Sequence, residues 1–283
     1  MWRAIATVKT MKLLQSIFVI LAFFATAALG AFLENGEKGR VVRVLDGDSF
    51  VMESGLIVRM AQIEAPRIRS NDPEGFAARA ALNSYVGGKD VQLKYGGLRR
   101  DRSGRALAMV FISTGMLQEP IWVNQEILRI GYARVHTYPD NRVLVPELWQ
   151  AEREARRSSR GIWSNPAYQV RFATLSALIG AENSFQLVEG KVADVVQDGN
   201  LIRLIFASDN TANVAAVIPQ RAWEMWSGGV PELMALKGLD IRVRGRVQGS
   251  QPARASKKGK TYPAHGPQIW LDHPEQIEFI IRR

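Results

Sequence analysis

Between Arg40 and Ile63 three short apolar-rich runs, RVVRVL, SFVME and LIVRMAQI, are separated by DGD and SG. Asp-Gly and Ser-Gly between alternating runs are hairpin signals, because glycine takes the backbone twist that tight turns need. The pattern predicts a three-stranded meander, and no other stretch narrows the fold so far. FAARAALNSYV follows with the spacing of a helix, ended by Gly87 and Gly88. DVQLKY and RALAMVFI form a second hairpin around GGLRRDRSG. Two more helices are predicted, one near IWVNQEILRI with Gly131 behind it, the other over PELWQAEREARRSSR with Gly161 behind it. The order is βββ-α-ββ-α-α.

Residues 165–184 read as a linker with a helical turn or two around ATLSALI. Beyond it FQLVEGKVADVVQ, a DGN turn, LIRLIFA and NVAAVIP are strand-like, PQRAWEMW and PELMAL helical, and DIRVRGRV, IWLD and IEFII strand-like again. Three strands, a helical insertion and two closing strands is the order of a five-stranded Greek-key barrel of the OB type. The expected fold class is therefore α+β, mainly β. Two OB-like five-stranded barrels, at residues 31–164 (with three helices) and 185–283, follow an N-terminal segment of residues 1–30.

That segment, MKLLQSIFVILAFFATAALGA with Lys9 just ahead, joins basic residues to an apolar stretch and ends on small residues. It reads as an export signal, with Met11 as a plausible start. The alternative is an uncleaved anchor, since about 20 apolar residues can span a bilayer. The expectation is an exported protein (periplasmic, secreted or envelope-anchored), in contact with a membrane only if the segment stays uncleaved. There is no cysteine, so neither a disulfide nor a thiolate metal site arises. The net charge of +10 is thinly spread: residues 31–183 carry 21 Lys+Arg against 17 Asp+Glu, and residues 184–283 carry 13 against 10. A polyanionic partner is permitted rather than demanded, and position must decide.

Asp46 and Asp48 flank Gly47 at a hairpin tip, and Glu64 ends the third strand of the same meander, so the sheet can bring them close. Carboxylates at a strand end suit Ca²⁺, although DGD alone is usually just a turn and the spacing is not that of an EF-hand. Arg59 lies on the strand that ends in Glu64, and Arg105 opens the strand after DRSG. Guanidinium forks bind phosphate oxygens at two points and stabilise charge in a phosphoryl transition state.

With VLDGDSF, VRMAQIEAPR, DRSGRALA, GYARVHTYPDN and a helix ending in RGIWS, in that order, residues 40–164 resemble the staphylococcal nuclease (thermonuclease) family. The resemblance implies an OB-type barrel with three helices and Ca²⁺-dependent phosphodiester hydrolysis. It implies metal roles for Asp48 and for Glu64, the latter in a place normally held by aspartate, phosphate-binding roles for Arg59 and Arg105, and catalytic roles for Arg59, Arg105 and Glu64. In that family the attacking water is helped by a glutamate immediately after the proline. Here that residue is Arg67, which cannot take a proton from water at neutral pH. Ala65 and Ala77 also depart from the family's threonine and glutamate. Glu74, the nearest substitute base, suits the start of a helix, where the macrodipole favours a carboxylate. Arg67 adds a phosphate contact, and Arg69, Arg99, Arg100 and Arg102 can extend a basic rim suited to a chain of phosphates.

His136, His265 and His273 show no metal spacing and read as structural or surface residues. Arg153, Arg156, Arg157 and Arg160, interleaved with Glu147, Glu152 and Glu154, read as a salt-bridged outer helix face. Five tryptophans, Trp122, Trp149, Trp163, Trp223 and Trp226, sit in or beside helices as core candidates, whereas Trp270 is the better base-stacking candidate. Alternation in DIRVRGRV puts Arg242, Arg244 and Arg246 on one face, either tracking phosphates or simply wet. The first reading is a protein that binds nucleic acid, DNA or RNA, or another phosphodiester, with hydrolysis impaired. The alternatives are an active Ca²⁺-dependent endonuclease and a non-catalytic envelope interaction protein. No feature points to an obligate protein partner.

Overall fold

The computed structural model describes residues 33–68, 72–115, 118–206, 214–252, 254–255, 261–262 and 265–281; the N-terminal segment lies outside the described residues. The meander forms as the turn signals require. Its strands are β1 (Glu34–Asp46), β2 (Ser49–Met52) and β3 (Ile57–Met60), with β1 starting six residues earlier than its apolar run because Glu34–Arg40 pairs with the next hairpin. A short β4 (Ile63–Glu64) leads to α1 (Pro73–Val86), which begins three residues before its periodic stretch. Pro73 at its start and Asp72, whose side chain accepts the Glu74 N–H at 3.1 Å, cap it.

Then come β5 (Asp90–Tyr95), β6 (Ala106–Ile112), β7 (Ile121–Trp122), α2 (Val123–Arg129), β8 (Arg134–Val135) and α3 (Val145–Arg157). Strand β3 pairs in parallel with β6 and closes the ring β3-β2-β1-β5-β6 into a five-stranded barrel. Its interior is filled by Phe50, Met52, Val58, Leu93 and Val110 under Leu82 of α1 and Ile127 of α2. Gly131 and Gly161 lie back to back, both at positive φ, and a Cβ on either would sit 2.3 Å from a carbonyl oxygen. These helix-ending glycines are therefore also a packing contact.

Residues 165–184, read as a linker, contribute to the second sheet. They carry β9 (Arg171–Phe172), parallel to the following strand, and the short α4 (Leu175–Leu178), with Leu178 buried in that sheet's core. The second sheet continues with β10 (Phe185–Asp198), β11 (Leu201–Phe206) and β12 (Ala215–Pro219). A 3-10 helix (Gln220–Met225) and α5 (Gly229–Met234) precede β13 (Asp240–Gln248). The hairpin pair β14 (Arg254–Ala255) and β15 (Thr261–Tyr262) stands apart, and β16 (Gln268–Trp270) and β17 (Ile277–Phe279) end the chain's strands. The ring β10-β11-β12-β16-β13 closes through β10–β13 pairing, with β12 and β16 parallel. Both barrels thus share one cyclic strand order.

The two barrels belong to one compact unit, Glu34–Arg283. Helix α3 is only in part an outer face: Glu147 and Arg157, and Arg160 just beyond it, are exposed, but its other side is covered. Ala155, with Ile162 and Trp163 just beyond the helix, packs on Phe185 and Leu187 of β10. Arg244 of β13, 1% exposed, reaches across to Glu152 of α3, which is fully buried, at 3.2 and 3.0 Å, and donates to the Val135 carbonyl at 3.1 Å. Arg153 and Arg156 pair with Glu278 from the same side. Arg244 is therefore neither wet nor a phosphate contact: the alternation was right, but the face it lies on is the seam between barrels. Trp163 and Trp226 are buried and Trp122, Trp149 and Trp223 partly so. Among the described residues no helix is long and apolar enough to cross a membrane.

Candidate functional site

Asp48 and Arg59 are brought together by hairpin register: Ser49 pairs with Arg59 across β2 and β3, and the Met60 N–H donates to the Asp48 carbonyl at 2.8 Å. Gly47 lets the turn lie close against α1 and the segment after β4, since a Cβ there would come within 2.6 Å of both Ala65 and Ala78. Asp48 is 6% exposed and Arg59 8%, and they form an ion pair. The Asp48 carboxylate also accepts from Ala65 N–H and the Ser49 hydroxyl, each at 2.9 Å. Burial works against the Arg59 charge, but Asp48 and then Glu64 outweigh it and hold the guanidinium protonated above its ordinary range.

Glu64 is fixed by β4–β8 pairing, which sets it opposite Arg134 and lets the His136 Nδ1 reach its Oε2. Burial alone would raise this carboxyl. The His136 hydrogen bond and charge, then Arg59 and Arg134, override it and bring the pKa down to about 2. The His136 ring lies 4.7 Å from Tyr138 and 4.5 Å from Phe185, centroid to centroid. His136 is thus a partner of the candidate metal carboxylate, which the isolated histidine in sequence did not signal.

Arg59 and Arg105 line one open cleft of about 800 Å³. The parallel β3–β6 pairing is the cause: it sets Arg59 beside Leu107, two residues past Arg105. Arg105 is held by Asp101, its Nε donating to Oδ2 at 2.7 Å while Asp101 Oδ1 accepts the Arg105 N–H at 3.0 Å. Asp48 and Glu64 do not themselves line the cleft; their charges reach it through Arg59. Arg67 is exposed, and its charge acts on the phenol of Tyr138, a cleft residue. Of the expected rim, Arg100 and Arg102 line the cleft, Arg99 and Arg100 are paired with Glu34 and Glu37 at 2.7 and 2.6 Å, and Arg69 lies outside the described residues. The second barrel adds Arg221, Met225 and Asp272, a contribution no sequence motif announced.

The carboxylates do not fit calcium as they stand. Ca²⁺ takes six to eight oxygens. Both Asp48 oxygens already accept protein hydrogen bonds, Arg59 is paired with it, and one Glu64 oxygen is taken by His136. Among the described residues no three His, Asp or Glu side chains are grouped as a metal site. A cation would have to displace Arg59 and His136. Glu74 is also occupied, accepting from Asn165 Nδ2 at 2.5 Å in the first turn of α1.

The sequence model described as "Staphylococcal nuclease homologue" matches residues 57–165. The chain is 38% identical over 130 residues to an "Uncharacterized endonuclease" of Escherichia coli O157:H7, covering 45% of this chain and 77% of that one. It is 31% identical over 138 residues to the "Micrococcal nuclease" of Shigella flexneri (47% and 76%) and 28% identical over 138 to a "Thermonuclease" of Staphylococcus hyicus (46% and 78%). The matched stretch holds the closing strands of the first barrel, Arg59, Arg105 and the β4–β8 pair that seats Glu64, and the chain belongs to the staphylococcal nuclease family.

Proposed function

We propose that the protein binds nucleic acid, or another phosphodiester polymer, through Arg59 and Arg105, and that its hydrolysis of that polymer is strongly attenuated. The observation that carries the reading is the pairing of two carboxylate-held guanidiniums on one cleft with an arginine, Arg67, at the position after Pro66. Guanidiniums pre-oriented by a carboxylate lose little freedom on binding phosphate, and their forks suit its oxygens. Hydrolysis needs more: a proton must leave the attacking water. Arg67 has no lone pair to accept it, Glu64 is engaged by His136 and Glu74 by Asn165. General-base help is typically about 10² to 10⁴ in rate, and its loss leaves a binding protein with feeble turnover. Export belongs to the same reading and is supported by the apolar, small-residue-ended stretch within residues 1–30.

The test uses the full chain with single-stranded DNA and RNA, with and without Ca²⁺, following binding by anisotropy and cleavage on gels. Binding with little cutting is expected, Arg105→Ala weakening the first and Arg67→Glu raising the second by about 10²-fold or more. Efficient cutting by the unmodified protein, abolished in Arg105→Ala, would establish an active endonuclease instead. No binding to either polymer at low salt would leave an interaction protein of another kind.

A further inference from the structure

Beside the cleft, and sharing Tyr138, Pro139 and Asp272 with it, lies a smaller pocket of about 190 Å³. At ~30 Å³ per water it has the room of roughly six waters, enough for one flat heterocycle and too little for a base pair. Its walls come from both barrels: His136, Thr137 and Tyr138 from the first, Arg246, Trp270 and His273 from the second.

Most polar groups of these walls are paired, but three are not. Thr137 Oγ1, Trp270 Nε1 and His273 Nε2 are all buried and have no hydrogen-bond partner among the described residues. His273 is only 1% exposed and Thr137 3%. Buried polar atoms are nearly always paired, so three orphans around one pocket are a sign of a ligand that pairs them. Their chemistry is mixed. The indole can only donate. The His273 Nδ1 faces Glu275 Oε2 at 3.2 Å; in the tautomer with the proton on Nδ1, Nε2 is the acceptor, and the threonine hydroxyl can do either. A donor, an acceptor and a hydroxyl beside three aromatic rings match the edge and faces of a nucleobase.

We propose that this pocket binds one unpaired base of a single strand whose phosphates lie on Arg59 and Arg105, so that the second barrel makes the protein a reader of single-stranded nucleic acid. The proposal rests on the phosphodiester reading of the cleft. Geometry supports the continuity. Arg221 stands on the second-barrel side of the cleft, paired with Asp272 at 2.5 Å, and Asp272 also lines the pocket. A chain that leaves Arg59 toward Arg221 therefore passes the pocket mouth. A duplex keeps its bases stacked and paired and has none to insert.

The experiment compares a fluorescent single-stranded oligothymidylate with an abasic oligonucleotide of equal length, which keeps every phosphate and lacks every base. For the full chain, Trp270→Ala should weaken oligothymidylate binding about ten-fold, the loss typical of one base unstacked from an aromatic ring, and leave the abasic strand unaffected. Thr137→Val keeps the shape and Trp270→Phe keeps an aromatic face, though a smaller one, while each removes one hydrogen-bonding group; both should weaken only the base-bearing strand, by a few-fold. Arg59→Ala and Arg105→Ala should weaken both strands alike. Equal affinity of the unmodified protein for the two strands, or equal losses on both in Trp270→Phe and Thr137→Val, would overturn the pocket while leaving the phosphate cleft intact. Absence of binding to either strand would overturn the cleft and the pocket with it.

Discussion

The arginines at the seam and those in the cleft are drawn from equivalent barrels and have opposite fates. Arg244 is 1% exposed, and its donors meet Glu152 and Val135 with Glu278 close by. Arg105, held by Asp101, is about a third exposed, and Arg59, paired with Asp48 and 8% exposed, shares the wall of the same open cleft. A guanidinium enclosed by the protein, with both terminal nitrogens engaged, fixes one module against another. A guanidinium held on one side keeps donors free for a ligand. The difference does not lie in the residue or in strand alternation, which is the same in both places. It lies in whether a second module covers that face.

The comparison breaks most sharply at Arg244. Arg244→Ala leaves the Glu152 carboxylate buried without its main cation, a loss typically of about 3–5 kcal/mol, whereas Arg105→Ala removes a partly exposed pair worth roughly 1 kcal/mol or less. Urea denaturation of the two variants should show that gap. The double change Arg244→Met with Glu152→Leu should recover most of the loss, because apolar residues of similar volume replace buried pairs at little cost. Equal losses for Arg244→Ala and Arg105→Ala would mean that the seam is not a structural lock.

A second, smaller effect concerns acid. The folded Glu64 carboxyl sits at about 2 against an ordinary 4.5. Its folded value is depressed, so its contribution is complete above about 4.5 and disappears as pH falls through about 2. The linkage is worth about 3 kcal/mol at neutral pH. Glu64→Gln should therefore lower stability at pH 7 and flatten the fall in unfolding free energy between those limits. The fall should persist in part, because Glu278 at the seam is also depressed: burial raises it, and the charges of Arg244, Arg242 and Arg156 more than reverse that. An unchanged profile in Glu64→Gln would show that His136 does not hold the carboxylate.

How much of this could be read from the chain follows from range. The DGD and SG turns, the helix-ending glycines, the arginine after Pro66 and the strand carrying Arg59 are local signals, and the turns appear where those signals put them. The third run, expected to end in Glu64 as one strand of the meander, instead breaks after Met60, and Glu64 sits in β4, paired with β8. The second barrel's strand order was legible for the same reason. His136 against Glu64 was not, because β4 and β8 are two-residue strands whose pairing joins residues 72 apart. Neither was the burial of Glu152 and Arg244, 92 residues apart, where each looked like one member of an ordinary amphipathic pattern. Residues 165–184 lack a strong period because β9 is two residues long and α4 one turn.

The smallest effect sharpens the comparison furthest, since it separates arginines that stabilise from those that meet phosphate. Arg221 is the second barrel's own cleft arginine, its side chain 68% exposed and paired with Asp272 at 2.5 Å. Its place differs from that of Arg105, which precedes its strand, whereas Arg221 follows β12. Parallel pairing of β12 with β16 sets Val217 beside Trp270, which brings the residues just beyond, Arg221 and Asp272, to one end of the barrel. In the first barrel the parallel β3–β6 pair gathers Arg59 and Arg105 at the opposite, N-terminal end of its strands. If a strand of phosphates crosses from one barrel to the other, Arg221→Ala should leave stability within about 0.5 kcal/mol and lower affinity by a few-fold. It should also reduce the slope of log affinity against log salt by about 0.7, the release of one counterion from a single strand. Arg244→Met with Glu152→Leu, if it folds, should leave that slope untouched, because neither residue meets the ligand. A slope unaltered by Arg221→Ala would confine the phosphate path to the first barrel and return the second to the role its seam already gives it, a rigid wall.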